Sequence, residues 1–401
     1  MIRTISSVLV IVALVGSSTL PVGAVSAQQA EGYAGTHVTF ETSNNAIVDY
    51  AVDGETVVES MAVRSQSEAE SRGDVRAGVG LSAVTNLTGA ALSLDSRTEV
   101  SATVAVESGA RMQAHDNARG ILVVRSGGES QYVTANVSSS SRVESEGDRR
   151  VIVTTDSGTE GTFLVVGDGE VTVNERGNVS ANLGSDGKLV FRSYSDGRDD
   201  DDKQEERLIS EGKAAAEVYV MQKAEQGSDL AADVVQYGED TTVEVIQKNE
   251  GTVEMTAERS REQGKIIITS VSEQAIGSVE ELQVTVDGEA AERASSYSEL
   301  ENAADNGDSS KFLVRQRSNA QASADVLVAI DHFSTREVTM SEGSDGADGS
   351  SSDGSDSEDG SDSDGSDGEN ERTTGSDGAG FGIAVAFVAL ISVALYTSRR
   401  I

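Results

Sequence analysis

Three histidines are the side chains best suited to acid–base chemistry in this sequence: His37, His115 and His332. None has a second histidine at the spacing of a His-x-His or His-Glu-x-x-His metal site. Asp331 precedes His332 and could orient its ring toward a serine, but serine is so frequent here that this adjacency has little weight. We therefore expect no catalytic residue, no bound metal and no cofactor, and predict that the chain is not an enzyme.

Glycine and cysteine patterns agree with that expectation. The chain contains no Gly-x-Ser-x-Gly nucleophile elbow. Gly78-Val79-Gly80 and Gly167-Asp168-Gly169 lack the third glycine of a dinucleotide-binding loop. Cysteine is absent, which excludes disulfides, thiolate zinc sites and thiol nucleophiles.

Asn86, Asn136 and Asn178 each precede a serine or threonine by two positions, the acceptor pattern for N-linked oligosaccharides. All three lie in the first half of the chain. A chain this rich in Ser and Thr also contains such tripeptides by coincidence, so both interpretations stay open. We treat the three asparagines as glycosylation candidates of a glycoprotein.

The charge balance indicates the surroundings of the protein. Net charge is −37, from 68 acidic and 31 basic residues, and only seven of the basic residues are lysine. Such charge repels itself at low salt, whereas the Debye length falls to about 3 Å in molar salt. The composition favours a protein adapted to brine over an ordinary acidic secreted protein. It also excludes nucleic acid as a partner, because phosphate binding needs clustered Lys and Arg.

The N-terminus has the features of a secretory signal peptide over residues 1–27. Arg3 supplies a positive charge, and the apolar run Val8–Val15 is too short to span a bilayer. Small residues precede the junction between Ala27 and Gln28, where we predict cleavage. An uncleaved N-terminal anchor is the alternative.

The C-terminus has the features of a membrane span. Phe381–Thr397 carries no charge, and its 17 residues would form a helix of about 26 Å. Arg399 and Arg400 follow, so the positive-inside rule places the C-terminus in the cytoplasm and the rest of the chain outside. A buried core helix is the alternative for this run.

An acidic segment, residues 342–378, precedes the apolar run. It consists almost entirely of Ser, Asp, Gly and Glu and contains 13 acids and one base. Nothing in it can bury apolar surface, so we expect a disordered stalk extended by self-repulsion. Calcium binding is the alternative, but no EF-hand-like Asp-rich loop with a distal Glu is present.

The tail as a whole resembles the C-terminal signal of haloarchaeal surface proteins called PGF-CTERM. The matching features are the acidic linker and, within the transmembrane or sorting segment 379–401, Gly380-Phe381, the apolar run and Arg399-Arg400. The resemblance implies a membrane anchor read by an archaeosortase, which removes the helix and attaches a lipid. Ala379 stands where the family has Pro. The resemblance therefore leaves two outcomes. Either the archaeosortase removes the helix, or the helix is retained.

Short strand-like runs fill residues 28–341, and many alternate between apolar and polar residues, as antiparallel strands do. Asp53-Gly54, Asp168-Gly169 and Asp186-Gly187 are suited to tight hairpins. We predict a mainly β fold with antiparallel, sandwich-like domains at 28–195 and 207–341, joined by a charged linker at 196–206. The second domain is predicted to contain short helices near Glu273–Leu282 and Ser298–Asp305.

These features together predict an exported, membrane-anchored protein on the cell surface of a halophile, with a structural or adhesive role. Its expected partners are the membrane, an archaeosortase and components of the surface layer (S-layer). A receptor for a solute or protein is the first alternative, which a deep pocket with convergent polar groups would favour. An envelope hydrolase is the second, which a Ser, His and carboxylate converging near His115 or His332 would favour.

Overall fold

The computed structural model describes residues 31–343, apart from 77, 79, 223–229, 250, 262, 317–322 and 333. The described chain is mainly β, as predicted. The strands of its first half are β1 (Gly32–Ala34), β2 (Val38–Thr42), β3 (Ile47–Val52), β4 (Glu55–Ser65), β5 (Leu92–Arg97), β6 (Ser101–Val106), β7 (Arg111–His115), β8 (Leu122–Arg125), β9 (Gln131–Asn136), β10 (Arg142–Ser145), β11 (Arg150–Thr154), β12 (Glu160–Val166), β13 (Gly169–Val173), β14 (Val179–Leu183) and β15 (Lys188–Tyr194).

The strands of the second half are β16 (Ala214–Gln222), β17 (Leu230–Gln236), β18 (Thr241–Asn249), β19 (Thr252–Arg259), β20 (Gln263–Ser272), β21 (Leu282–Val286), β22 (Glu289–Ala290), β23 (Glu292–Arg293), β24 (Lys311–Gln316), β25 (Ser323–His332) and β26 (Thr335–Glu342). The helices are α1 (Gln66–Arg72), α2 (Asp200–Ser210), α3 (Glu273–Ile276) and α4 (Tyr297–Asn306), with a 3-10 turn at Leu81–Ala83. The described strand pairs are antiparallel except β16–β20 and β23–β24.

The first half folds into two facing sheets. Sheet A has the order β1-β2-β3-β4-β9-β14-β13, and sheet B has the order β10-β11-β12-β15-β8-β7-β6-β5. Alternation along β2 shows how sheet A faces its partner: Val38 and Phe40 are buried, whereas Thr39 and Glu41 are exposed. The inward side chains of both sheets form one hydrophobic core.

The second half repeats this arrangement. Sheet C has the order β17-β16-β20-β25-β24-β23, and sheet D has the order β18-β19-β26-β21-β22. A second core lies between them. The predicted helix near 298–305 is confirmed as α4, which Ser296 caps by accepting the Glu299 amide and which ends at Gly307.

Sheets B and C also meet, through the faces that point away from their own sandwich cores. In β15, Leu189 and Phe191 face the first core while Val190 faces this third cluster. In β25, Val328 faces the second core and Leu327 faces the third. Strands covered on both faces are continuous apolar runs, and each fully buried aliphatic side chain contributes about 1.5–3 kcal/mol. The body is therefore a stack in the order A, B, C, D, and it forms a single compact unit.

Residues 196–206 do not form the charged linker that was predicted, because most of them belong to helix α2. Asp199 caps this helix, and its acidic first turn meets the unsatisfied amides of the helix N-terminus. Leu208 and Ile209 pack into the cluster between sheets B and C. The segment thus joins the two sandwiches through a buried interface.

Two of the three predicted Asp-Gly hairpins are also corrected. Asp53-Gly54 forms the tight turn between β3 and β4, with φ of 50° and 83°. Residues 168–169 and 186–187 instead connect strands of different sheets, β12 to β13 and β14 to β15. These two arches touch, since a Cβ on Gly187 would lie 2.2 Å from the Asp168 carbonyl oxygen. Glycine is needed there for close approach.

The predicted signal peptide (1–27) and terminal segment (379–401) lie outside the described residues, as does nearly all of the stalk (342–378). Glu342, taken as the start of the stalk, is the last residue of β26. Within the described part of the chain, no helix has the length and apolar character needed to cross a bilayer.

Candidate functional site

Two of the three histidines pair with carboxylates near the surface. His37 Nδ1 lies 2.8 Å from Asp53 Oδ1, and His332 Nδ1 lies 2.6 Å from Asp331 Oδ2. Ser310 donates to the other oxygen of Asp331, at 3.2 Å. In a catalytic triad the serine bonds to the imidazole, whereas here serine and imidazole share one carboxylate. This arrangement does not activate the hydroxyl.

His115 lies deeper, where sheets B and C meet. Its Nδ1 is 2.8 Å from Asp233 Oδ1, and Asn117 donates to Asp233 Oδ2 at 2.8 Å. Both partners are almost fully buried, at 1% and 3% exposure. The second ring nitrogen of His115, Nε2, is buried without a hydrogen-bond partner. The pair joins β7 to β17, and the surrounding sheets keep any dissolved substrate from reaching it.

The densest set of buried charges lies at the same interface, around Arg192 of β15. Its Nη1 is 3.2 Å from Glu217 Oε1, and its Nη2 is 3.2 Å from Glu205 Oε2. Glu217 also accepts hydrogen bonds from the hydroxyls of Tyr219, at 2.6 Å, and Tyr237, at 2.7 Å. We call these five residues the interface network. It draws on sheet B, helix α2 and sheet C.

A second set of charges positions α2 against sheet B. Glu206 is fully buried and accepts hydrogen bonds from Tyr194 Oη, at 2.7 Å, and from Arg198 Nη2, also at 2.7 Å. Asp202 pairs with Arg119, whose guanidinium lies 4.4 Å from the centre of the Tyr194 ring. The acidic residues of the helix are thus matched by cations of the first sandwich.

The electrostatics of the interface network are those of a fixed contact. Burial opposes the charge on Arg192, but the Glu217 carboxylate outweighs it and holds the pKa of the guanidinium well above its usual value. Burial, together with the same carboxylate, raises the pKa of Tyr237 well above its usual value. Groups that keep their protons throughout the ordinary pH range donate hydrogen bonds but do not act as bases. Arg192 and Tyr237 therefore act in this network as hydrogen-bond donors that hold the sandwiches together.

A surface concavity of about 410 Å³ lies beside the C-terminal end of α4. It is open to solvent and lined by polar groups, among them Asn302, Asn306 and Asp308. The Glu299 carboxylate on its wall is already paired with Lys311, at 2.8 Å. This shape does not match the deep pocket in the first domain that would favour a receptor.

The glycosylation candidates lie on the sheet A side of the first sandwich. Asn86 and Asn136 are exposed, and Asn178 is half-buried. The remaining predicted site residues, at the cleavage point and in the sorting motif, are Ala27, Gln28, Gly380, Phe381, Arg399 and Arg400. All six lie outside the described residues.

The interface network was missed at the sequence level, although part of its signal was present. Asp199, followed by an acidic turn, Leu208-Ile209 and then Gly212, is the pattern of a helix from cap to end. Glu217 stands inside the run Ala214–Val220, whose continuous apolar character indicates a strand covered on both faces. A lone carboxylate in such a strand requires a buried partner.

Comparisons with known proteins identify no family for this chain. No family model matches the chain, and no curated protein matches it. Among solved structures, a mutant of the glycoside hydrolase family 81 protein from Clostridium thermocellum matches with a TM-score of 0.37 and 10% identity. The match covers 78% of this chain and 35% of that one, so the chain spans about a third of that protein's length. At this TM-score the likeness supports no argument about activity.

The prediction of a structural or adhesive role is corrected here. A solved structure with a weak likeness to this chain is a glycoside hydrolase, and no contact or surface in the described residues supports adhesion. We therefore assign this chain neither a structural nor an adhesive role.

Proposed function

We propose that this chain is exported and held at the outer face of a membrane, where its body is displayed in strong salt without catalysing a reaction. Support for the location comes from the two ends of the sequence. The apolar run Val8–Val15 precedes small residues before Gln28, and the uncharged run Phe381–Thr397 precedes Arg399-Arg400. The acidic segment 342–378 separates the body from the second of these runs.

The layer order of the body is the observation that carries the display function. The last described strand, β26, lies in sheet D, and the acidic segment follows it in sequence. Sheet A lies three layers away from sheet D, and stacked sheets are about 10 Å apart. Sheet A is therefore roughly 30 Å from sheet D, whose last described strand precedes the acidic segment.

The contacts of the titratable groups support a role without catalysis. Each histidine is bonded to a carboxylate, and the serine near His332 bonds to Asp331 instead of the ring. The interface network and the His115–Asp233 pair lie between sheets B and C. A group covered by protein on both sides cannot meet a polymeric or dissolved substrate.

Truncation tests the anchor. A chain ending after Gly378 is expected in the medium, whereas the full chain is expected in the membrane fraction. A matched control deletes residues 345–375 and keeps 379–401, and it should stay with the membrane. If the truncated protein remained bound after a high-salt wash, the anchor would be wrong.

Cysteine labelling tests display, because the natural chain contains no cysteine. Thr39, exposed on sheet A, is replaced by cysteine and treated with a membrane-impermeant maleimide on intact cells. We expect the Thr39→Cys variant to be labelled and the unsubstituted chain to stay unlabelled. Labelling only after lysis would contradict an external body, and turnover of soluble glycans by the purified protein would contradict the absence of catalysis.

A further inference from the structure

One end of sheet A brings the three glycosylation candidates together. Strand β9 pairs with β14 so that Ala135 stands opposite Val179. The same antiparallel register places Asn136 opposite Asn178. Their proximity is confirmed by the Val137 amide, which donates to Asn178 Oδ1 at 3.2 Å.

Asn86 is drawn to the same end by the turn between β13 and β14. Arg176 in that turn donates from Nη1 to Asn86 Oδ1, at 2.5 Å. This contact uses the carboxamide oxygen, so the nitrogen that would carry a sugar remains available. Both Asn86 and Thr88, the hydroxyl residue of its acceptor tripeptide, are exposed.

The other two tripeptides differ in the accessibility of their hydroxyls. Ser180 is fully buried, donates from Oγ to the Val84 carbonyl at 2.7 Å and accepts from Asn174 Nδ2 at 3.0 Å. The Ser180 hydroxyl, by which a transferase would recognise Asn178, is therefore enclosed beneath the segment around Val84 that lies over sheet A. Ser138, by contrast, is only half-buried and bonds to the exposed Ser140. Asn136 beside it is exposed, and its Nδ2 donates to Ser60 Oγ at 2.9 Å, a surface hydrogen bond that water can replace when the nitrogen reacts.

We propose that Asn86 and Asn136 carry N-linked oligosaccharides in the folded protein and that Asn178 does not. In the transfer, the carboxamide nitrogen attacks C1 of an oligosaccharide linked to a lipid phosphate. The new C–N bond forms as the C1–O bond breaks, the lipid phosphate leaves with the bonding electrons, and the amide loses one proton to a base of the transferase. Since the transferase must read the hydroxyl two residues on, a buried Ser180 excludes the third position. Both sugars would project from the end of sheet A at which these asparagines lie.

Glycopeptide mass spectrometry of the full chain, purified from its own membrane, tests the assignment. Sugar-bearing peptides are expected to predominate at Asn86 and Asn136, with the unmodified peptide predominating at Asn178. Asn86→Gln and Asn136→Gln should each lower the mass of the intact protein by one oligosaccharide. Asn178→Gln should raise the mass only by the one methylene group that the glutamine side chain adds.

A new acceptor at an exposed position serves as the positive control. Ala46→Ser places a hydroxyl two residues after the exposed Asn44, at the turn between β2 and β3. Modification of Asn44 in this variant, with Asn178 still bare, would show that accessibility in the folded protein decides the outcome. Unmodified Asn86 and Asn136, or full occupancy of Asn178, would overturn the proposal.

Discussion

Arg192 and Glu217 form an ion pair across the two sandwiches, with Nη1 and Oε1 3.2 Å apart and neither side chain more than 1% exposed. Arg192 belongs to sheet B and Glu217 to sheet C. Taking both charges out of water costs several kcal/mol per ion, which their attraction and the phenol hydrogen bonds offset. The intact pair therefore adds little net stability, but it fixes how the two sandwiches meet.

Breaking this pair from one side should be strongly destabilising. Arg192→Met leaves the Glu217 carboxylate buried without its cation, and the expected loss is about 3–5 kcal/mol in the free energy of unfolding. Urea unfolding in molar salt, followed by circular dichroism, measures it.

A surface pair provides the matched control. Arg142 and Glu144 are 4.0 Å apart with side chains 75% and 66% exposed. Arg142→Ala should change the free energy of unfolding by less than about 0.5 kcal/mol. Equal losses in the two variants would show that the interface pair is not the contact we describe.

Local signals in the sequence predicted local structure well. Asp53-Gly54 is the turn of a hairpin because aspartate and glycine both tolerate the positive φ that such a turn needs. Asp287-Gly288 does the same between β21 and β22, with φ of 53° and 78°. Ser296 and Gly307 bound α4 as its capping chemistry predicts.

Long-range pairing could not be predicted in this way. Asp168-Gly169 has the same local chemistry as Asp53-Gly54, yet it leads from one sheet into the other, because the partner of each strand is chosen by packing. Charged residues make up 25% of the chain, and Arg192 and Glu217 are only two of them. Only the three-dimensional fold shows which of them face each other.

Substitution of Asp116 is expected to destabilise the first sandwich strongly. Its carboxylate accepts the backbone amides of Thr36, His37 and Val38, each at 2.7 Å, and it is 3% exposed. Asp116→Ala removes bonds to a charged acceptor and leaves a buried amide unsatisfied, so we expect a loss of about 3 kcal/mol. Thermal and urea unfolding would both show the loss.

Gly35 gives a second way to disturb the same contact. A Cβ on Gly35 would lie 2.2 Å from Asp116 Oδ2, so Gly35→Ala should displace the carboxylate and destabilise in the same direction. Gly80→Ala is the control, because its nearest neighbour would be Ser82 Oγ at 3.9 Å. A Gly35→Ala variant as stable as Gly80→Ala would contradict the contact.

Glu299 should titrate far below an ordinary glutamate. Its hydrogen bond from Lys311, followed by those from the Ser295 amide and hydroxyl, lowers the pKa to about 2. A lowered pKa means that the contribution to stability is present above the ordinary value of 4.5 and is lost as the pH falls toward about 2. In carboxyl NMR titrations, Lys311→Met should raise this pKa only part of the way to 4.5, since Ser295 remains. An unchanged pKa would exclude the Lys311 contact.

The pKa of His37, unlike that of Glu299, should lie above its ordinary value. Its hydrogen bond to Asp53 raises the pKa above 6.5 despite partial burial, so the contribution to stability is complete below pH 6.5 and is lost as the pH rises through the raised pKa. Asp53→Asn keeps a residue that tolerates the positive φ of the turn while removing the charge. Imidazole NMR should show a lower pKa for His37 in this variant. Asp49→Asn, at another residue with positive φ, is the control and should leave the pKa of His37 unchanged. Equal pKa values in all three proteins would contradict the pairing.

Salt should act on the surface charges and leave the interface pair largely unaffected. Because net charge is −37, lowering the salt from molar to millimolar concentration is expected to weaken the β signal in circular dichroism and lower the unfolding midpoint. Sodium chloride and potassium chloride at equal ionic strength should restore stability alike if charge screening is the cause, and equal stability in dilute buffer would refute the adaptation to brine. Buried pairs are screened much less than exposed ones, so Arg192→Met should lose nearly the same free energy of unfolding at every salt concentration that still permits folding. A loss that instead grew or shrank with salt would place that pair in contact with solvent.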